Sequence, residues 1–587
     1  MRMSIRTRTG TLILIFGGAS CLRGSSSLGG NECDGSPCAD AAAGAAGASS
    51  GTTGGATSTT TGGGTTTGSG GTTGGGTTTG SGGATGGTTT GGGATGGGSG
   101  GTAGTGGAAG AGVGDASSDG CTPAFSCTSP GSLYCGLVDT GCGPVDCGSC
   151  SGGRVCGLRF PSVCGAPCPL CAQIPRCERG TTSVSGTVVT GAMSGADPVS
   201  RALVYIPNIV PGAKLPPLVD GPTCDSTTPE GAKKLFCTPP TSDEALATAV
   251  TIHDGTFTLT DVPAGPNIPL VVELGRWRYE TTINVSPCVD NQLPPGTARF
   301  PRSQSEGSIP LTAISTGNVD ALECVLRKMG IADSEFTNPT GSGRIHLYRN
   351  NGASIDGTTP DQDALTGGSS GTGAWDRYDQ ILFPCEGTRS DKSSSAIGRF
   401  FDFTARGGRI LATHFSYTWL YHTSGFDTGG WNVDQVALAN PLIANIDTTS
   451  PQHADFARWL EVVGALSNLT PAQISISDPR RDLDGLLASG GSSRWIYSDM
   501  PATVQLMTVD TPVPPNGRTC GRVTYSDFHV ANAVNAGLEF PAECTSSPLT
   551  PQEKVLEFMI LDLTACGWAS KGPPPPPPQS SIDVIPG

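Results

Sequence analysis

The chain has 587 residues, 89 of them glycine, and a formal net charge of −15. Its length alone would suggest about three or four domains, but glycine is concentrated early in the chain, where such a composition cannot build an apolar core. No run rich in lysine and arginine follows the first few residues. This pattern argues against nucleic acid as a partner and favours a soluble, solvated surface.

Residues 1–21 have the pattern of an export signal, in which arginines precede the apolar stretch 11–20. That stretch is too short to span a bilayer as a helix. The sequence Gly-Ala-Ser before Cys21 resembles the lipobox of bacterial lipoproteins, although Gly18 stands where that family usually has leucine. The resemblance implies acylation of Cys21. We therefore expect an exported protein, either anchored by lipid to the outer membrane or cell surface or simply secreted, with the anchor as its only membrane contact.

The segment 22–120 is a low-complexity region made mostly of glycine, threonine, serine and alanine. Such a sequence behaves as a flexible coil, because it has no apolar periodicity to bury. We expect it to be disordered and to serve as a tether between the folded part and a surface.

Residues 121–177 form a cysteine-rich module with eleven cysteines. In an exported chain this density indicates a disulfide scaffold. The pairs Cys147/Cys150 and Cys168/Cys171 also have the spacing of a zinc ribbon, but the interleaved cysteines and the oxidising compartment favour disulfides. Because eleven is odd, one partner lies outside the module or one thiol stays free.

The region 178–300 changes to alternating apolar and polar residues in short runs separated by turn residues, which predicts a β-sandwich. The run 254–265, Asp-Gly-Thr-Phe-Thr-Leu-Thr-Asp-Val-Pro-Ala-Gly, resembles the carboxypeptidase-regulatory-like sandwich. This resemblance implies a non-catalytic module for stability, spacing, or contact with a carbohydrate or protein. Cys224 and Cys237 lie in an insertion and are expected to pair.

Residues 311–567 alternate between apolar strand-like runs and helical patterns, which predicts a doubly wound α/β domain with a mostly parallel sheet. A capping box from Thr550 to Glu553 predicts the start of a last, largely buried helix. The remaining residues, 568–587, include six consecutive prolines and are expected to form an extended tail. The predicted strands are 344–348, 378–383, 409–414, 504–509 and 521–526, and the predicted helices are 319–329, 394–406 and 454–465.

Three short motifs of this domain are similar to the class I glutamine-amidotransferase-like superfamily, and most of all to its trehalose-utilisation (ThuA-like) branch. They are the strand Tyr-Asp-Gln-Ile-Leu-Phe (378–383), the run Gly-Gly-Arg-Ile-Leu-Ala-Thr-His (407–414) and the segment 521–529. In the amidotransferases the second motif ends in a nucleophilic cysteine, whereas this chain has His414 there. The resemblance therefore implies the fold without glutaminase chemistry.

Polar side chains follow three of the predicted strands, and the carboxyl ends of parallel strands are where ligands bind in such sheets. The candidate catalytic residues are Cys385, Glu386, His414, Asp527 and His529, and the candidate pocket walls are Tyr417, Trp419 and His422.

Four interpretations of this edge remain open. Cys385 can act as a nucleophile with a histidine as base, or His414, His529 and a carboxylate can bind a metal. The edge can also form a non-covalent pocket. Alternatively, both histidines bond to the backbone and Cys385 is in a disulfide.

The sequence as a whole favours an exported protein without enzymatic activity. We expect a surface-tethered or secreted binding or structural protein with a non-catalytic amidotransferase-like domain, and a cell-surface protein or carbohydrate as its partner. We expect no metal and no other cofactor. The alternative is a secreted hydrolase that uses Cys385, His414 and His529.

Overall fold

The computed structural model describes most of the chain beyond the linker. The described residues are 134–139, 144–150, 154–156, 164–165, 167–222, 244–421, 429–433, 435, 438–487, 491–511, 521–530 and 538–565, and they all fall within one compact unit. The predicted export signal with Cys21, the predicted linker, the predicted Cys224/Cys237 pair and the proline-rich tail lie outside these ranges. No helix within them has the length and apolar character needed to cross a membrane.

The cysteine-rich module consists of short strand pairs held by disulfides, as predicted. Strand β1 (Leu137–Asp139) pairs with β2 (Pro144–Asp146), and β3 (Val155–Cys156) pairs with β4 (Cys164–Gly165). The bridges with both partners described are Cys135–Cys156, Cys150–Cys164, Cys168–Cys171 and Cys177–Cys288. The zinc-ribbon alternative is wrong, because all four of its cysteines are disulfide-bonded. The last bridge reaches 111 residues along the chain, into the next domain, which accounts for a partner outside the module.

Two antiparallel-rich sheets follow the module. One has the strand order β12-β10-β9-β6-β7 and the other β11-β5-β8. Their inner faces meet because alternate side chains are buried: in β8, Phe257 and Leu259 point inward while the threonines between them are exposed. The strands are β5 (Ser183–Thr187), β6 (Leu203–Pro207), β7 (Ala245–Val250), β8 (Thr256–Thr260), β9 (Gly265–Leu274), β10 (Trp277–Val285), β11 (Asp290–Gln292) and β12 (Gly307–Ser308).

The remainder of the described chain is an α/β domain. Its strands are β13 (Thr312–Thr316), β14 (Phe336–Thr337), β15 (Ile345–Arg349), β16 (Gln380–Phe383), β17 (Arg409–Thr413), β18 (Gly429–Trp431), β19 (Leu442–Ile446), β20 (Asn468–Leu469), β21 (Ala472–Ile476), β22 (Leu483–Leu486), β23 (Ser492–Asp499), β24 (Ala502–Thr511) and β25 (Gly521–Ser526). Its helices are α1 (Leu322–Lys328), α2 (Gln362–Thr366), α3 (Ser394–Ala405), α4 (Pro451–Val462) and α5 (Pro551–Thr564).

The central sheet of this domain is mixed, so the prediction of a mostly parallel sheet needs correction. Its order among the described strands is β14-β15-β13-β16-β17-β25-β24-β23-β19-β21-β20. The strands from β14 to β25 in that order are parallel to one another, whereas those from β24 onward pair antiparallel. Part of the sheet is antiparallel because β23 and β24 are joined by a hairpin at Asp499–Ala502. A hairpin connection needs no crossover helix.

The central strands of the parallel half are buried along their whole length, on both faces of the sheet. Ile314, Leu382 and Leu411 contribute to the core that also contains α1, α4 and α5. Their neighbours Ile381 and Ile410 lie in a second core with the aromatic residues of α3. The capping box of α5 is confirmed, since the Thr550 hydroxyl accepts the Glu553 amide and the Glu553 carboxylate accepts the Thr550 amide.

The sandwich and the α/β domain share the first of these cores. Polar contacts cross the boundary as well: Arg201 lies 2.7 Å from Asp562, and the Trp459 indole donates to the Pro198 carbonyl at 2.7 Å. The sandwich therefore packs against the helices α4 and α5, which cover one face of the central sheet.

Candidate functional site

Four neighbouring parallel strands bring their carboxyl ends together. In the order β13, β16, β17 and β25, they are followed by Asp320, Cys385, His414 and His529. The ligand-type atoms of Cys385, His414 and His529 all lie within 4.8 Å of one another. Three of the predicted site residues are thus neighbours in space, although His529 is separated from the other two by more than a hundred residues.

His414 occupies a strained backbone position at the end of β17. Its φ is +36°, in a region that side chains other than glycine rarely adopt, and it is the first residue of a 3₁₀ helix, His414–Trp419. The Tyr525 hydroxyl bonds to its carbonyl at 3.2 Å. Such strain persists only where the surroundings enforce it, and it is concentrated at functional sites.

Cys385 carries the one free thiol among the residues that the structure describes. Its Sγ lies 3.2 Å from His414 Nδ1, and the Gly387 amide donates to Sγ at 3.3 Å. The alternative that Cys385 is in a disulfide is therefore wrong. The backbone at Cys385 packs closely against Gly317, since a Cβ added at Gly317 would lie 2.2 Å from the Cys385 carbonyl oxygen.

Each imidazole also faces a carboxylate through its second nitrogen. His414 Nε2 lies 3.4 Å from Asp482 Oδ2, and His529 Nδ1 lies 3.1 Å from Asp320 Oδ1. Asp320 is held in turn by the Thr413 hydroxyl at 2.5 Å and the Val530 amide at 2.9 Å. Neither aspartate was predicted as a site residue.

Burial controls the protonation of the thiol and imidazole. It raises the pKa of Cys385 to about 12, and the negative charge of Asp320 adds to the effect. Burial also lowers the pKa of His414, against the opposing influence of Asp482. At neutral pH the pair is therefore a thiol and a neutral imidazole, not the thiolate–imidazolium pair of an activated cysteine.

The other candidate residues lie around this cluster, not in it. Asp527 is buried behind His414, where the Tyr525 hydroxyl donates to it at 2.9 Å and the Asp482 amide at 2.8 Å. Burial and the charge of Asp482 raise the pKa of Asp527 well above its ordinary range. Glu386 forms an ion pair with Lys392 at 2.6 Å.

The predicted pocket residues belong to a packed aromatic layer. Trp419 stacks on Phe383 with ring centroids 4.8 Å apart, and Tyr417 meets Tyr421 edge-on at 5.2 Å. Both Tyr417 and Trp419 are buried. His422 lies outside the described residues.

Comparisons with known proteins bear only on part of the chain. No protein-family profile matches it, and no curated protein matches it. A solved structure of a ThuA-like protein from Parabacteroides merdae is 12% identical, with a TM-score of 0.23, over 45% of this chain and 91% of that one. Gan42B, a GH42 beta-galactosidase, is 12% identical, with a TM-score of 0.21, over 44% of this chain and 31% of that one.

The similarity to the ThuA-like structure therefore covers almost all of that protein, whereas the chain spans only about a third of the galactosidase's length. Both TM-scores are too low to carry an argument about function. The chemistry of the site has to be argued from its own geometry.

Proposed function

We propose that this chain is an exported, surface-tethered or secreted protein whose α/β domain binds a partner without covalent chemistry at Cys385. The disulfide-rich module suits an oxidising compartment, and the sandwich and the α/β sheet form one continuous folded body. A cell-surface protein or carbohydrate is the expected partner.

The burial of the cysteine–histidine pair is the observation that carries this proposal. Cys385 is 0% exposed and His414 is 5% exposed, so an acyl or glycosyl carbon has no direct approach to the sulfur. The protonation states point the same way, because burial raises the pKa of the thiol and lowers that of the imidazole. A nucleophilic cysteine needs the opposite shifts.

A secreted hydrolase is the second candidate, and two contacts favour it. Cys385 Sγ lies 3.2 Å from His414 Nδ1, and His414 Nε2 lies 3.4 Å from Asp482. A nucleophile, a base and an orienting carboxylate are connected in this way. This arrangement would become competent only if the edge opened to admit substrate.

Alkylation of the native protein distinguishes the two functions. The full-length protein is treated with iodoacetamide, with and without EDTA, and modified thiols are mapped by mass spectrometry. We expect Cys385 to react at least about 100-fold more slowly in the folded protein than after unfolding in urea, because it is buried and protonated.

The opposite result would replace the binding function with the hydrolase. Rapid modification of Cys385 in the folded protein, together with hydrolysis of an ester or amide substrate that Cys385→Ala abolishes, would be decisive. His253→Gln serves as the matched control, because His253 lies in the other domain, near Asp455, and its loss should change neither measurement.

A further inference from the structure

We propose that Cys385 Sγ, His414 Nδ1 and His529 Nε2 form a binding site for a divalent transition-metal ion, with Zn²⁺ as the occupant. Each of the three residues has one ligand-type atom within 4.8 Å of those of the other two, and the sulfur is 3.2 Å from His414 Nδ1. Around a tetrahedral zinc ion such atoms are about 3.3–3.6 Å apart. Small side-chain movements would therefore complete the site.

The orientation of both imidazoles fits metal coordination. His529 places Nδ1 on Asp320 at 3.1 Å, which leaves Nε2 as its coordinating nitrogen. His414 places Nε2 toward Asp482 at 3.4 Å and Nδ1 toward the sulfur. Metal-bound histidines commonly donate their second nitrogen to a carboxylate, which selects the tautomer and orients the ring. Here both histidines have such a partner.

The charge balance of the cluster also points to a cation. Asp320 and Asp482 are buried at this edge, and each faces one of the two imidazoles. Burying a carboxylate is costly unless positive charge compensates it. A divalent ion bound by the thiolate and two imidazoles would place that charge beside Asp320 and Asp482.

The environment of the sulfur suits a metal thiolate. The Gly387 amide donates to Sγ at 3.3 Å, and such a bond stabilises the charged sulfur. Two other described clusters contain cysteine, namely Cys135/Cys150/Cys156 and Cys324/Glu543/Cys544. Their sulfurs are all bridged in disulfides, so Cys385 is the described cysteine that retains a thiol for coordination.

Three protein ligands leave a fourth position for water or a small anion. A thiolate with two imidazoles also binds Cu²⁺, which competes strongly on affinity alone. The site would thus suit either divalent ion. The intense visible absorption of a copper–thiolate bond distinguishes bound Cu²⁺ from bound Zn²⁺.

The test uses the full-length protein stripped with EDTA and titrated separately with Zn²⁺, Cu²⁺ and Co²⁺ salts. We expect one zinc ion per chain, and a cobalt spectrum with tetrahedral d–d bands and a thiolate charge-transfer band. Cys385→Ser and His529→Gln should each weaken zinc binding by more than about 100-fold, because loss of an outer partner alone costs roughly 10–100-fold. Asp320→Asn should weaken zinc binding by only about 10–100-fold, because Asp320 is such an outer partner of His529.

His253→Gln is the matched control and should bind zinc like the wild-type protein. Each variant is compared with the wild type in EDTA by circular dichroism, so that loss of binding is separated from loss of fold. If a variant does not fold, the cobalt spectrum of the wild-type protein still decides whether a thiolate is coordinated. Absence of stoichiometric zinc in the wild type, or zinc that persists in Cys385→Ser and His529→Gln, would overturn the proposal. An intense copper–thiolate band with weak zinc binding would make Cu²⁺ the occupant instead.

The metal titration and the alkylation of Cys385 test the two proposals separately. A bound metal with an unreactive Cys385 supports both proposals. A reactive thiol and a metal-free protein would refute both, each by its own measurement.

Discussion

The two ends of the central parallel strands use charge in different ways. At the amino end, Arg522 bonds to Asp510 at 2.7 Å and to Asp562 at 2.6 Å. Asp379, just before β16, pairs with Arg276 from the sandwich. At the carboxyl end, a thiol, two imidazoles and several carboxyl groups are gathered, and burial shifts the pKa values of Cys385, His414 and Asp527 toward their neutral forms.

This difference suggests that the amino end of the sheet serves stability and that the carboxyl end is where a ligand binds. Amino-end groups form ion pairs of opposite charge, and the Arg276–Asp379 pair ties the sandwich to the α/β domain, as Arg201 also does through Asp562. At the carboxyl end, the pKa values of the Cys385 thiol and the His414 imidazole are shifted toward their neutral forms, and His414 has a strained backbone. Such perturbations cluster at functional sites, and ligands bind at the carboxyl edge of parallel sheets. We therefore expect substitutions at the two ends to affect different properties.

The largest effect on stability is expected at the amino end. Arg522→Met should lower the free energy of unfolding by about 3–5 kcal/mol, because it leaves the buried Asp562 without one of its cationic partners. Urea denaturation followed by circular dichroism measures the loss.

The matched control is Arg406→Met, since Arg406 pairs with Asp376 on the surface, where both side chains are largely exposed. Exposed pairs contribute little, so this variant should unfold within about 1 kcal/mol of the wild type. If the two variants lose similar stability, the amino-end network is not the stabilising element proposed here.

Asp527, at the carboxyl end, should contribute to the pH dependence of stability. The raised pKa of Asp527 means that the folded protein holds that proton more tightly than the unfolded chain. Its contribution to stability is complete below roughly pH 3.9, the unfolded pKa, and is lost as pH rises through the higher folded pKa. Burial also raises the pKa values of Glu323 and Glu557, and it raises the pKa of Glu543 to about 7. All three groups act in the same direction as Asp527.

As pH falls from about 7.5 to 5.5, this proton uptake should add up to about 1.4 kcal/mol of stability per pH unit for each proton. The lowered pKa values of His346, His414 and His453 act in the opposite direction, so the prediction is the difference in slope between the wild type and the Asp527→Asn variant. Asp527→Asn should flatten part of this slope. Asp510 is the control from the amino end: Arg522 holds its pKa low against the effect of burial, so its contribution is lost only in stronger acid, and Asp510→Asn should keep the slope. Equal slopes in wild type and Asp527→Asn would contradict the assignment.

Only a small effect on stability is expected for Cys385→Ala in EDTA. The side chain is small and makes no ion pair, so the loss should not exceed about 1.5 kcal/mol. A loss as large as that of Arg522→Met would mean that the carboxyl end serves the fold and not a ligand. Thermal unfolding monitored in EDTA provides the comparison.

Part of the fold could be predicted from the sequence because the signals were local. The apolar runs that became β16 and β17 are bounded by proline and glycine, and the capping box at Thr550 marks the start of α5. Strand β13 was missed, although it lies at the centre of the sheet, because Thr312–Thr316 reads Thr-Ala-Ile-Ser-Thr, with little apolar character. In the antiparallel half, β24 was predicted as 504–509, but β19, β20, β21 and β23 were missed, since hairpin strands with mixed polarity resemble loops.

The site could be predicted only for residues that directly follow a recognised strand. Cys385, His414 and His529 were found in that way. Asp320 follows β13, which was missed, and Asp482 precedes β22, a strand that was also not predicted. A polar residue shortly after Thr312–Thr316 is the signal that would have indicated Asp320.

The sequence by itself determined that the amino-terminal module is disulfide-bonded and that buried strands end in a thiol and two imidazoles, because cysteine density and apolar runs are properties of neighbouring residues. Only the tertiary structure decided that Cys385 stays free, lies 3.2 Å from His414 and shares an edge with Asp320 and Asp482. These contacts join strands far apart in the chain, and the order of strands in a sheet is decided by packing across the whole domain.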